Sequence, residues 1–347
     1  NLLPVFLLSD YSPMKKFLFI TILSISFFQA YNCDICGCFN GITPYDNQSS
    51  FSFNYRYRVF NGYSVLNQNH LWFPQYAQVS LANIGNTLTI SQAQMHATDV
   101  PDEYDYEIFN VFDMRARFFI HQRIEINGML PYYFNAQQHN DVPEKLNGIG
   151  DAQLSINYHL IHKIETEGWQ QRLIVGGGIK LPTGNYQLLA ADGDQFELPM
   201  QPGTGSIDGI ISSNYTVGKN AFGASTSVLY KLNGENKNQI GFANSFNCSL
   251  NVFYKIVPVT NWKLIPALKV TYEKCNGEKA QGILTNEHFT ENIMSGGGFE
   301  LFHKNISLNA DVAMPVYENG SIDHPANAFL FNCGLIWHFN QRNYLLK

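Results

Sequence analysis

The 347-residue chain carries 22 Lys and Arg against 28 Asp and Glu, a formal net charge of −6, and only 14% of its residues are charged, against about a quarter in ordinary soluble domains. Hydrophobic residues reach 45% and include 26 Phe and 19 Tyr, yet mean hydropathy is only −0.16, so Asn, Gln, Ser, Thr and Gly stand where a soluble surface carries charge. No basic stripe is present and no nucleic-acid partner is expected; the balance suits a surface that faces lipid around a polar lumen.

Residues 1–13 read as an upstream extension. Met14-Lys15-Lys16 followed by Phe17 to Ala30 has the charged start and apolar stretch of a signal peptide, and is shorter than the about 20 apolar residues a membrane helix needs. Cleavage is expected near Ala30, although Phe28 stands where a small residue is preferred. Residues 31–49 form a Cys-rich segment expected in the periplasm. There Cys33, Cys36 and Cys38 bring three sulfurs close enough to wrap one thiophilic ion. Three ligands fall short of a closed zinc site, so Cu(I) is the metal the cluster fits best. A disulfide in an oxidising compartment is the competing reading, and the residues before Cys33 argue against lipidation. Cys248, Cys275 and Cys333 are scattered and read as inert barrel residues.

From residue 50 onward the pattern is alternation. Phe51, Phe53, Tyr55, Tyr57 and Val59 alternate with Ser52, Asn54, Arg56 and Arg58; Ala152, Leu154, Ile156, Tyr158 and Leu160 alternate with Gln153, Ser155, Asn157 and His159. The same division recurs over Phe222–Leu232, Trp262–Glu273 and Ile306–Met314. Side chains two apart share a face of a strand, and these runs match the length a tilted strand needs to cross a membrane. Twelve strands are expected, at 50–60, 107–121, 122–135, 148–162, 170–181, 206–218, 220–233, 238–256, 259–276, 289–303, 305–318 and 325–340. They form an all-β antiparallel transmembrane barrel over 50–340, with a tail at 341–347. Short links (His121-Gln122, Gly218 to Asn220, Val257 to Asn261, His303 to Asn305) and long links (Asn61 to Tyr106, Asn135 to Asn147, Pro182 to Gly205, Asn276 to His288) tend to alternate, as periplasmic turns and outer loops do. Arg56, Arg58, Asp113, Arg115 and Arg117 fall on the inward face of the first two strands, where they would line the lumen and set its selectivity. A barrel of this size has a narrow pore or one closed by loops, and charges that only pair with one another are the alternative. His70, Met95, His96 and His139 lie in outer links and could ligate a metal, or be solvated surface residues. No nucleophile elbow, zinc-protease motif or phosphate loop is present, and no enzymatic activity is expected.

Gly178-Ile179-Lys180-Leu181-Pro182-Thr183-Gly184, then Gln201-Pro202-Gly203-Thr204-Gly205-Ser206 with Asp208, resemble the paired GxKxPTG and QPGTGS-D motifs of the phenol-degradation meta-pathway outer-membrane family. Gly148-Ile149-Gly150-Asp151 is similar to its GxGD element. The resemblance covers roughly 148–340 and implies an outer-membrane barrel that transports a small solute; the pathway in the family's name does not carry over to this chain. On the residues themselves, Pro182 leaves the fifth strand and the Gly-rich return enters the sixth. The loop between them, of about 24 residues, is long enough to constrict the mouth or bind a ligand, or to serve as a structural cap. A softer resemblance, from the Cys-rich start and Tyr55-Arg56-Tyr57-Arg58, is to secreted barrels that handle metals, and a copper-binding, membrane-anchored protein is the alternative function.

Overall fold

The computed structural model describes residues 48–63, 106–139, 142–163, 168–190, 193–259, 261–285, 288–320 and 325–339. In chain order the strands are β1 (Ser49–Tyr63), β2 (Tyr106–His121), β3 (Ile124–His139), β4 (Val142–Ile149), β5 (Gln153–Lys163), β6 (Trp169–Lys180), β7 (Asp208–Lys219), β8 (Phe222–Leu232), β9 (Ile240–Phe242), β10 (Ser245–Tyr254), β11 (Trp262–Asn276), β12 (Glu278–Ala280), β13 (Ile283–Leu284), β14 (Phe289–His303), β15 (Ile306–Gly320) and β16 (Pro325–Phe339). No helix occurs among the described residues, so none is long and apolar enough to cross a membrane.

One antiparallel sheet contains thirteen of these strands. Because β4 and β5 pair with successive halves of β3, they are two segments of one stave, and twelve staves result. The ring closes where β1 pairs with β16 from Ser49↔Phe339 to Val59↔Phe329, so no barrel edge is left to template aggregation. Closure also meets the demand that every backbone N–H and C=O in hydrocarbon be satisfied within the protein.

The side chains are sorted inside out relative to a soluble domain. Phe53, Ile156, Ile211, Leu268, Met314 and Trp337 are exposed on the outer face, Leu268 at 72%, a continuous apolar belt that only lipid can cover. The residues next to them point inward: Ser50, Ser52, Asn54, Ser225, Ser227, Asn251 and Asn332 are all buried. The wall therefore follows the alternation expected of β1, β5, β8, β11 and β15.

Short and long connections are sorted to opposite ends. Two-residue turns join β2 to β3, β7 to β8 and β14 to β15, while 181–207 and the segments carrying β9, β12 and β13 lie at the other end. By the usual asymmetry the turn end is periplasmic and the loop end faces outward.

Three expectations need correction at the loop end. The link from Asn135 to Asn147 is a hairpin, since β3 runs to His139 and pairs with β4 through His139↔Val142. The strand expected at 148–162 breaks at Gly150 to Ala152, where Asp151 turns its carboxylate out of the ladder to cap a neighbouring loop. The strand expected at 238–256 breaks at Ala243-Asn244, where Asn233 Nδ2 donates to Ala243 O and Asn244 Oδ1 accepts from Asn233 N. Asparagine side chains there take over the bonds a neighbouring strand would make.

Candidate functional site

Lys180 ends β6 and Asp208 begins β7, and the pairing of these strands makes the two residues cross-strand partners. Lys180 Nζ lies 2.7 Å from Asp208 Oδ2 and 3.0 Å from Asp151 Oδ2, and also donates to Thr204 Oγ1. All three charged side chains are buried. Two carboxylates against one ammonium would be costly without further donors, and the loop supplies them. Asp151 accepts from Gly184 N and Thr204 N, both at 2.9 Å; Asp208 accepts from Ser206 Oγ at 2.8 Å and Gly234 N at 3.0 Å. The GxGD, GxKxPTG and QPGTGS-D segments thus form one knot, tying both ends of 181–207 to the break between β4 and β5. Glycine is required where backbones touch: a Cβ on Gly203 would lie 2.6 Å from Gly184 C, and one on Gly184 2.8 Å from Ile149 O. Pro202 packs beside Gly148, and a Cβ there would meet its ring at 3.1 Å. Pro182, with no N–H to donate, stands two residues beyond the end of β6.

Beyond the knot the loop reaches across the barrel mouth. Phe196 and Met200 pack with Phe60 of β1, Phe109 of β2 and Leu146 of β4 in one buried cluster, and Met200 is 0% exposed. Gln201 clamps the turn that presents them: its Nε2 donates to Leu188 O and Phe196 O, and its Oε1 accepts from Leu188 N, all at 3.0 Å. Asn135 of β3 donates to Met200 O at 3.0 Å. At the same end, Glu197 Oε2 lies 2.9 Å from His288 Nε2, and His288 Nδ1 lies 3.3 Å from Glu278 Oε1. Burial pulls the His288 imidazole down, but the Glu197 hydrogen bond and the carboxylates of Glu197, Glu278 and Glu107 outweigh it and push its pKa up to about 9.

Inside the barrel most of the expected lumen charges meet partners. Arg58 donates through Nε to Asn327 Oδ1 at 2.7 Å and through Nη1 to Glu273 Oε2 at 3.0 Å, with its guanidinium 4.9 Å from the Phe60 ring centre. Arg115 pairs with Asp113, which also accepts from Asn54 Nδ2 at 3.0 Å. Arg117 lies 4.0 Å from Glu125, a carboxylate shared with His159 at 3.4 Å. Arg56 is half-buried, two residues from Arg58 on the same face of β1.

Arg115 and Arg117 border a mid-barrel cavity of about 230 Å³ whose wall is mostly hydroxyl and amide, including Ser52, Asn127, Asn157, Ser212 and Asn251. A second cavity of about 260 Å³ at the turn end is bordered by Lys163, Lys255 and Lys263. Arg172, Thr216 and Phe253 border both, so the two cavities adjoin. Near them Phe253, Ile265, Ala267 and Phe302 make an apolar cluster.

Arg172, the three lysines, Asp151, Glu197 and His288 were not singled out as site residues from sequence. Asp151 was within reach, because it closes the GxGD element; the others depend on which strands become neighbours across the ring. Cys33, Cys36, Cys38, His70, Met95 and His96 lie outside the described residues, as do the signal segment and the tail, and only the backbone of His139 is described. Among the described residues no group of three His, Cys, Asp or Glu has the geometry of a metal site, and Cys248, Cys275 and Cys333 form no disulfide.

An outer membrane channel from Pseudomonas putida F1 has a similar fold, with a TM-score of 0.58 at 11% identity over 87% of this chain and 99% of that one. The β domain of the Bordetella autotransporter BrkA (TM-score 0.44, 11% identity, 85% and 100% covered) and the translocator domain of NalP from Neisseria meningitidis (0.41, 8%, 94% and 96%) are more distant. No curated protein matches the sequence. The closed twelve-stave barrel with its lipid-facing belt is an outer-membrane protein. The sequence model of the family described as "Putative MetA-pathway of phenol degradation" matches residues 104–317, well over half of the chain, and the protein belongs to that family.

Proposed function

We propose that this protein is an outer-membrane channel that passes a small polar solute through its lumen, with 181–207 as the closure of the outer mouth. The observation that carries this reading is the chemistry of the inner wall. Asn251 and Asn309 border the mid-barrel cavity and are buried, each with an Oδ1 that accepts no hydrogen bond from the protein; Thr271 and Asn292 are in the same condition. Buried polar groups without protein partners need water or a polar ligand, and a wall of serine and asparagine offers nothing to an apolar core. The lumen is therefore a hydrated path, which Arg56 and Arg58 line toward the outer mouth, Asp113 near the middle, and Arg115 and Arg117 toward the turn end. Since Arg58 and Arg115 are held by Glu273 and Asp113, they narrow the path more than they charge it.

The test is single-channel recording of the purified full-length protein in planar bilayers, with liposome swelling in sugars and organic acids. Small, discrete conductance steps and size-limited swelling are expected. Absence of conductance both in the native protein and in a Lys180→Ala variant, in which the outer loop is untied, would remove the channel reading.

A further inference from the structure

We infer that the mid-barrel cavity is a binding site for a neutral six-membered ring that carries hydroxyls, a monosaccharide or cyclitol, and that such rings are the solutes the channel passes. The inference rests on the channel reading above and deepens it by naming the solute class. Three features of the cavity wall converge on it: orphaned acceptors, an apolar platform and charges that are already paired.

Asn251 of β10 and Asn309 of β15 border the cavity at 3% and 7% exposure, and the Oδ1 of each accepts no hydrogen bond from the protein. Asn54 of β1 joins them at the wall. Gly334 of β16 makes room for two of these amides: a Cβ there would lie 2.4 Å from Asn54 Oδ1 and 2.7 Å from Asn309 Oδ1, so both oxygens lie over bare backbone. Acceptors without donors are satisfied by O–H or N–H groups of a solute. Phe253 supplies the platform. Its ring is held in the cluster with Ile265, Ala267 and Phe302 and lies over Gly223, where a Cβ would come within 2.4 Å of it. A sugar ring has hydroxyls at its edge and C–H groups on its faces, and small-molecule sites combine an apolar surface with a few placed polar groups in the same way. A cavity of about 150 Å³ admits benzene, so one of about 230 Å³ has room for such a ring with its hydroxyls.

The described charged residues on the border are Arg115, Arg117, Glu125 and Arg172. Arg115 donates to both oxygens of Asp113, Glu125 is shared by Arg117, His159, Asn127 and Asn157, and Arg172 is engaged as well. A charged solute would shed water and find no counter-charge free to receive it. A neutral ring exchanges hydrogen bonds with water for hydrogen bonds with hydroxyls and amides.

The test is the single-channel current of the full-length protein in planar bilayers, or of Lys180→Ala should only that variant conduct, with myo-inositol and glucose added in parallel with glucuronate and glucosamine. The neutral rings are expected to interrupt the current saturably and to bind several-fold more tightly than the two charged ones. Replacing Asn251 and Asn309 together by Leu, of similar size and with no acceptor, should weaken the inositol block about ten-fold, the worth of two neutral hydrogen bonds. Heat-modifiable migration on gels verifies the fold of that variant, and the comparison of neutral with charged rings on the native wall decides the solute class without it. Conductance with no saturable block by neutral rings, equal block by the charged rings, or a folded double variant that keeps the native block overturns the assignment while the channel reading stands. A protein that conducts nothing, with or without its loop knot, overturns both.

Discussion

The two ends of the barrel use the same residue types to different ends. At the outer mouth a buried lysine is held between two aspartates, an arginine is fixed on a glutamate and a histidine sits between two glutamates. At the inner mouth three lysines and an arginine border one recess with no carboxylate among its described lining residues. The difference follows from solvation. An ammonium removed from water must be matched by opposite charge and hydrogen bonds or it is too costly to keep, so the outer charges are balanced and act as fasteners. Exposed lysines keep their hydration and need no such buried matching, so the inner lysines do not act as fasteners. One end is fastened by buried charge, and the other keeps its lysines in water.

The largest effect should come from breaking the outer knot. Lys180→Ala leaves Asp151 and Asp208 facing each other in a buried space, and removing one partner of a buried ion pair costs about 3–5 kcal/mol. The expected signs are a lower unfolding temperature in detergent, new protease cleavage between residues 181 and 207, and larger conductance. Lys163→Ala, the same change at the inner mouth, where the lysine is exposed, should alter stability by no more than about 0.5 kcal/mol. Equal stability losses for the two lysines would abolish the contrast between the mouths. A smaller effect is expected from Met200→Ala, which empties the centre of the cluster with Phe60, Phe109 and Phe196. The cost should be about 2 kcal/mol, at the low end for such a truncation because the cluster is small. It should show as loop cleavage with the barrel itself unchanged; an unaltered cleavage pattern would mean that the cluster does not hold the loop.

Much of this architecture is legible in the sequence wherever both faces of a strand are under constraint. In β1, β5, β8, β11 and β15 lipid on one side and water on the other enforce alternation, and the number of staves and the sorting of loops follow from it. Legibility fails beyond the membrane. Val142 to Ile149 pairs with the end of β3 but has no lipid to satisfy, and its sequence, with Pro143, Glu144, Lys145 and Asn147, has no apolar face to announce a strand. The short strands β9, β12 and β13 escape for the same reason. Of the outer knot, Lys180 and Asp208 stand out through motif, but that Asp151 joins them requires the register of β5 on β6. Glu197 and His288, 91 residues apart, meet only because the loop crosses the mouth. The recess at the turn end is invisible for a related reason, since Lys163, Lys255 and Lys263 lie at the ends of strands that only the folded barrel brings to one opening.

The last effect concerns the latch between Glu197 and His288, and it has a defined sign. His288 carries a folded-state pKa raised to about 9 from an ordinary value near 6.5, so folding favours its protonated form. The stabilisation it contributes is complete below about pH 6.5 and is lost as pH rises through about 9. Its principal partner, Glu197, is 62% exposed, so solvent screens the pair and the effect should amount to about 1 kcal/mol. Between pH 7 and pH 10 the loop should therefore open more often, read as flickering of the single-channel current or faster proteolysis of 181–207, with a midpoint near 9. His288→Gln, which keeps a hydrogen-bonding side chain and removes the titrating charge, should flatten this dependence at the level native protein shows at high pH. The Lys180 knot supplies the control: with it intact, release of the latch frees only one side of the loop, and full opening at alkaline pH should require Lys180→Ala as well. If alkaline pH alone opened the channel fully, the latch would be the principal fastener and the ranking of the two outer contacts would be inverted.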